Sequence, residues 1–239
     1  MARPACPDSR AAAFSRCGRY RWWLSRRWRD DAPTLLFLGL NPSRADGQQD
    51  DPTLRRLIGL ADGWGYGALE VLNLFAWIST DPGALRQAAE PVGHRTDAWI
   101  RGRVRQLARE ALARQVPTVT APPLGGPDKS LQDQSIQPAE GEESAAPAAV
   151  WGGADATLPL WLGWGNGGRW QGRDQQMLQL LGRLPVRLFC LGLTAAGQPR
   201  HPLYARAGSP LLPFGASWEH ATAPTAAPCP APRAATRST

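Results

Sequence analysis

Asn41, Asn73, Asn166 and His201 are the residues of this chain whose types and positions could do chemistry. An amide carbonyl can orient a water through one hydrogen bond, and a histidine beside a departing group can donate a proton or a strong hydrogen bond. Each also has a plainer use. An Asn in a Pro-containing turn caps backbone, and a His before Pro sits on a surface loop.

What makes the four worth taking together is where they fall. The apolar run 34–38 empties into Gly39-Leu40-Asn41-Pro42-Ser43, and the run 68–72 ends on Asn73. The run 158–162 leads into the glycine-rich stretch 163–168 that contains Asn166, and the run 186–191 leads into a loop carrying His201. Open α/β sheets bind ligands outside the C-terminal ends of their strands, so four such ends would present three amides and an imidazole along one edge. Gly39, Pro42 and Ser43 would form the turn around Asn41. Trp64 and Tyr66 are candidate stacking groups by proximity.

The elements between these ends alternate strand and helix. Asp51 caps and Pro52 starts a helix with Leu54, Leu57, Ile58 and Ala61 on one face. Apolar residues at helical spacing predict further helices over 96–114 and 173–184. The expected fold is α/β, a three-layer α/β/α sandwich on a small, about four-stranded parallel sheet. Residues 1–16 and 216–239 read as disordered tails. A single domain over 17–215 is interrupted by a Pro-, Gly-, Ser- and Glu-rich insert at 117–149.

Composition narrows the chemistry. The net charge is +7, and Lys129 is the sole lysine, so the basic surface is arginine, which favours phosphates and flat rings. With no lysine outside the insert there is no P-loop. The stretch Gly163-Trp164-Gly165-Asn166-Gly167-Gly168 fits a dinucleotide fingerprint, but no acidic residue follows about 20 residues later to hold a ribose. No cofactor is expected, although the turn could serve a phosphate in a small-molecule α/β enzyme. The four cysteines have no metal-ligand spacing, so no metal is expected. The chain shows neither a signal peptide nor a membrane-spanning run, and a cytoplasmic location is expected.

Between positions 16 and 29, six arginines alternate with Tyr20, Trp22, Trp23 and Trp28. Such interleaving suits a single-stranded nucleic acid, with Arg21, Arg26 and Arg27, and Arg200 beside His201, as contacts to DNA, RNA or a nucleotide. The alternative is a short ribbon whose tryptophans cover one end of the core while its arginines face water.

Five blocks in order, at 39–46, 50–56, 71–76, 80–82 and 198–204, closely resemble the bacterial family called domain of unknown function 1643, which names no activity. A further resemblance is to the uracil-DNA glycosylase superfamily, with its Asn-Pro first-strand motif, an Asn ending the second strand and a late His-Pro motif. Gly39-Leu40-Asn41-Pro42-Ser43, Asn73 and His201-Pro202 fall in that order here. By similarity Asn41 would position a water, Asn73 would read the edge of a base and His201 would stabilise charge on the leaving base. Leu203-Tyr204 stands where that superfamily has Ser-Pro. The resemblance implies a hydrolase of N-glycosidic bonds, with a non-catalytic nucleic-acid-binding module as the alternative.

Overall fold

In a computed structural model, residues 9–43, 45, 48–115, 157–206 and 208–215 are described. Seven strands form one mixed sheet: β1 (Ser9–Phe14), β2 (Arg21–Arg27), β3 (Thr34–Gly39), β4 (Ala68–Asn73), β5 (Leu158–Leu162), β6 (Val186–Cys190) and β7 (Leu212–Pro213). They lie in the order β1-β2-β4-β3-β5-β6-β7. The centre, β4-β3-β5-β6, is parallel throughout, with Phe37 opposite Val71 on one side and Trp161 on the other. β2 and β1 extend one edge antiparallel, and β7 closes the other. The sheet is therefore larger than the four strands expected, because three antiparallel strands are added to the parallel centre.

Period-2 alternation sends β3 side chains to two separate cores. Leu36 and Leu38 join a cluster with Ile100, Val104, Met177 and Leu181, while Leu35 and Phe37 join one with Leu54, Leu57, Leu60 and Trp161. Helix α1 (Pro52–Gly63) thus covers one face. Helices α2 (Pro82–Gln87), α3 (Thr96–Gln115) and α4 (Arg173–Leu181) contribute to the other. α1 begins where its sequence signals place it, with Asp51 Oδ1 accepting from Leu54 N at 2.7 Å.

Two sequence expectations need correction at the N-terminal end. Residues 9–14, assigned to a disordered tail, form β1: the outer edge of β2 offers unpaired backbone groups that even an Ala-rich segment can satisfy. The 16–29 segment supplies β2, but its arginines do not all face water. Arg26 is 3% exposed, with its Nε donating to Asp50 Oδ1 at 2.8 Å. Residues 117–149 and 216–239 lie outside the described residues. Among the described residues no helix is long and apolar enough to cross a membrane, and no group of three His, Cys, Asp or Glu side chains could hold a metal ion.

Candidate functional site

Because the four central strands run parallel, their C-terminal ends share one edge of the sheet. β3 lies between β4 and β5, so the chain leaves it toward one side and returns on the other, and a crevice opens at that reversal. The crevice is a cleft of about 660 Å³, within the size range of small-ligand sites. Gly39, Asn41 and Ser43 at the end of β3, Asp51 at the start of α1, Asn73 at the end of β4, Asn166 after β5 and His201 beyond β6 line it. Pro42 stands behind: its carbonyl accepts from Ser79 N at 2.9 Å, tying the loop after β3 to the loop after β4.

Asn41 Nδ2 donates to the carbonyls of Pro42 (3.0 Å) and Ser79 (2.8 Å). Two acceptors on one side fix which way the amide points, and Oδ1 is left to accept from something other than the protein. Asn73 is different. It is 5% exposed, and its Nδ2 is buried without a hydrogen-bond partner. A buried amide in that state costs about 1–3 kcal/mol, so it is retained against stability. Gly39 leaves it room, since a Cβ there would sit 3.1 Å from Asn73 Oδ1. Asn166 lies at the exposed rim, where its Oδ1 accepts from Thr194 Oγ1 at 2.6 Å.

His201 opens the short 3-10 turn Pro202–Tyr204, and its Nδ1 accepts from Leu203 N at 3.3 Å. That acceptor role assigns the proton of the neutral ring to Nε2, the nitrogen left for a ligand. Burial lowers the His201 pKa below its ordinary 6.5, partly opposed by the charge of Asp51. The folded protein therefore takes up this proton less readily than the unfolded chain, and the stability His201 contributes is lost as pH falls below about 6.5. Thermal melts from pH 7.5 down to 5 should show a steeper loss for the wild type than for His201→Asn. Identical profiles would mean that His201 titrates as an exposed histidine does.

Asp51 is the carboxylate that sequence reasoning used only as a helix cap. It caps α1 with Oδ1, bonds the Ser43 hydroxyl through Oδ2 and also lines the cleft. The opposite wall is held by a polar chain. Trp164 Nε1 donates to Gln198 Oε1 (2.7 Å), and Gln198 Nε2 donates to the buried carboxylate of Asp174 (2.8 Å). This fastens the loop that carries His201 to α4.

Other candidates fall elsewhere. Trp64 and Tyr66 are buried in the α1-side core and do not line the cleft, because the turn after α1 folds them under the sheet. The aromatic rings at the cleft are Phe37, Trp164 and Tyr204, the last 79% exposed at the mouth. Arg21 is buried in the cleft wall and donates to the Ala45 carbonyl. Arg26 is buried on Asp50, and Arg27 gives its two terminal nitrogens to Arg29 O and Thr34 Oγ1. As contacts to an external strand, Arg21 and Arg26 are thus withdrawn by burial. Arg200 is exposed and hydrogen-bonded to Leu193 O. The glycines of the 163–168 turn serve packing: a Cβ on Gly163 would lie 2.6 Å from the Phe37 ring, and one on Gly167 2.7 Å from Leu40. Gly165 N is taken by Pro199 O, which leaves no open amide cradle at that position.

The family model described as "Protein of unknown function (DUF1643)" matches residues 21–114 and 128–203. No curated protein and no solved structure matches the chain.

Proposed function

The chain belongs to the DUF1643 family of proteins of unknown function, and we propose that it recognises a nucleobase and hydrolyses the N-glycosidic bond that joins it to the sugar of a nucleic acid or nucleotide. The observation that carries this reading is the unpartnered amide of Asn73, buried inside a ligand-sized cleft. A base edge offers the donor and acceptor pair that such an amide lacks. The motif resemblance to the uracil-DNA glycosylase superfamily supports it, and we read the layering of α1, sheet, and α3 with α4 as of that kind.

In this mechanism the base enters the cleft with its edge toward the Asn73 amide. The C1′–N bond breaks and its electron pair stays on the base, where Nε2–H of His201 donates a hydrogen bond to the developing negative charge. A water held on Asn41 Oδ1 bonds to C1′, and its proton passes to Asp51, the one carboxylate among the described cleft residues. Burial lowers the His201 pKa and so favours the neutral ring, which donates through Nε2–H to the leaving base without first needing to be charged.

One observation favours a second reading, a nucleic-acid-binding module without turnover. Both Asp51 oxygens are already engaged, by Leu54 N and Ser43 Oγ, which weakens the carboxylate as a base. The separating experiment incubates the protein with oligonucleotides carrying uracil, hypoxanthine or other altered bases, then reveals abasic sites with alkali. Cleaved strands are expected. Salt-sensitive binding without product would select the module, and saturable binding of a free nucleotide with no affinity for oligomers would select a small-molecule enzyme.

A further inference from the structure

Two charged side chains at the start of α4 are buried without lining the cleft, Arg173 (3% exposed) and Asp174 (6%). They follow a costly turn. Gln171 (φ 56°) and Gly172 (φ 63°) are consecutive left-handed residues, and Gln171 is the one non-glycine with positive φ among the described residues. Backbone of that kind persists only where its surroundings over-determine it. Arg173 supplies part of the constraint: its Nε donates at 2.9 Å to the carbonyl of Leu74, the residue after Asn73, and its Nη2 pairs with Asp97. Asp174 is met by neutral donors, with Oδ1 accepting from Gln175 N and Oδ2 from Gln198 Nε2, both at 2.8 Å. An indole N–H can only donate and a carboxylate can only accept, so Gln198 between Trp164 and Asp174 has one orientation that satisfies both. Three residues further on is His201, packed over the turn that carries Trp164: a Cβ on Gly165 would lie 3.8 Å from His201 Cβ.

We infer that Asp174 is a positioning residue: by accepting from Gln198 it fixes the amide whose other end holds Trp164, and this strut sets where His201 stands against the cleft. The placement of His201 follows from the hydrogen-bond polarity alone, whereas its consequence for turnover rests on the proposed reading of His201 as donor to the leaving base. Burial of a carboxylate that could have been an apolar group is costly, and an apolar group could not orient Gln198. The strut is also separable from the fold of the loop. Gly165 N donates to Pro199 O at 2.8 Å and Arg200 N to Gly192 O at 2.9 Å, and these backbone bonds hold the segment 192–200 without Asp174.

The test reverses the polarity of the strut in the full chain. Asp174→Asn keeps the shape, but its new amide must set a donor against Gln175 N–H or against Gln198 Nε2, and turning Gln198 over would set Nε2 against the indole. Asp174→Asn/Gln198→Glu restores every pairing, because the amide at 174 donates to the carboxylate at 198, which also accepts from Trp164. The first readout is the titration midpoint of His201, followed by NMR through the ring signal that His201→Asn removes. Burial holds the His201 pKa below 6.5, against the charge of Asp51. In Asp174→Asn the midpoint should rise toward 6.5; losing a negative charge would by itself lower it, so a rise reads movement of the ring toward solvent. The double variant should return it to the wild-type value. The second readout is turnover of the altered-base oligonucleotides. There kcat should fall about 10² in Asp174→Asn with KM nearly unchanged, the size of a displacement of about 1 Å, and recover in the double variant. A midpoint in Asp174→Asn that stays put or falls overturns the inference, as does a double variant that recovers neither midpoint nor fold. Should Asp174→Asn alone fail to fold, a folded double variant with the wild-type midpoint supports the strut. Midpoints that behave as expected in a protein that turns over no oligonucleotide keep Asp174 as the residue that places His201 and overturn the N-glycosidic reading instead.

Discussion

Asn73→Leu is expected to melt higher than the wild type while its kcat/KM falls by about 10³. The two changes have one cause. The Asn73 amide is buried with Nδ2 unpaired, so an apolar side chain of similar size removes a desolvation penalty of about 1–3 kcal/mol. For a chain of this length each kcal/mol moves the melting temperature by about 2–4 °C. In the proposed function the same replacement deletes the donor and acceptor that would read the base edge, and a site built to hydrogen-bond its ligand discriminates steeply once one side of that pairing is gone. Melting and turnover measured on one preparation decide the matter. Loss of both together would make Asn73 a structural residue, and a stabilised variant with full turnover would place the ligand elsewhere.

The second large effect is on the fold. Arg103→Ala should cost about 3–5 kcal/mol, read as a lowered urea midpoint at unchanged slope. Glu70 is buried in the middle of β4 and is held by Arg103, whose Nε donates to Oε2 at 2.8 Å while Nη2 engages Oε1, and by Trp23 Nε1 at 2.8 Å. The guanidinium also lies 4.9 Å from the centre of the Trp23 ring. Truncating Arg103 leaves a carboxylate in the core with one indole donor. Combining it as Glu70→Gln/Arg103→Met should restore much of the loss, because replacing both partners removes the uncompensated charge. If Arg103→Ala costs under 1 kcal/mol, the Glu70 carboxylate is reached by water and the pair is an ordinary surface contact.

The sequence by itself determined the central strands, the start of α1, and the order in which Asn41, Asn73, Asn166 and His201 fall at or beyond the ends of those strands. These are local matters. An apolar run of strand length reads as a strand buried on both faces, Asp51-Pro52 reads as a helix start, and parallel crossovers then put every C-terminal strand end on one edge. Tertiary structure alone decided which charged and aromatic side chains reach that edge. Trp64 and Tyr66 follow α1 closely in sequence but turn into the core, whereas Phe37, which the sequence marked only as an apolar strand residue, borders the cleft. Asp51 serves cap and cleft at once, which only the approach of the Pro202–Tyr204 turn to α1 creates. The arginines were the least legible. Whether a guanidinium is buried depends on a carboxylate far along the chain, as with Arg26 and Asp50 or Arg103 and Glu70. No local pattern encodes that pairing, and the cost of burying charge is settled only when the partners meet. The edge strand β1 was hidden for a related reason: its Ala-rich residues have little strand preference of their own, and the unpaired backbone of β2 supplies the rest.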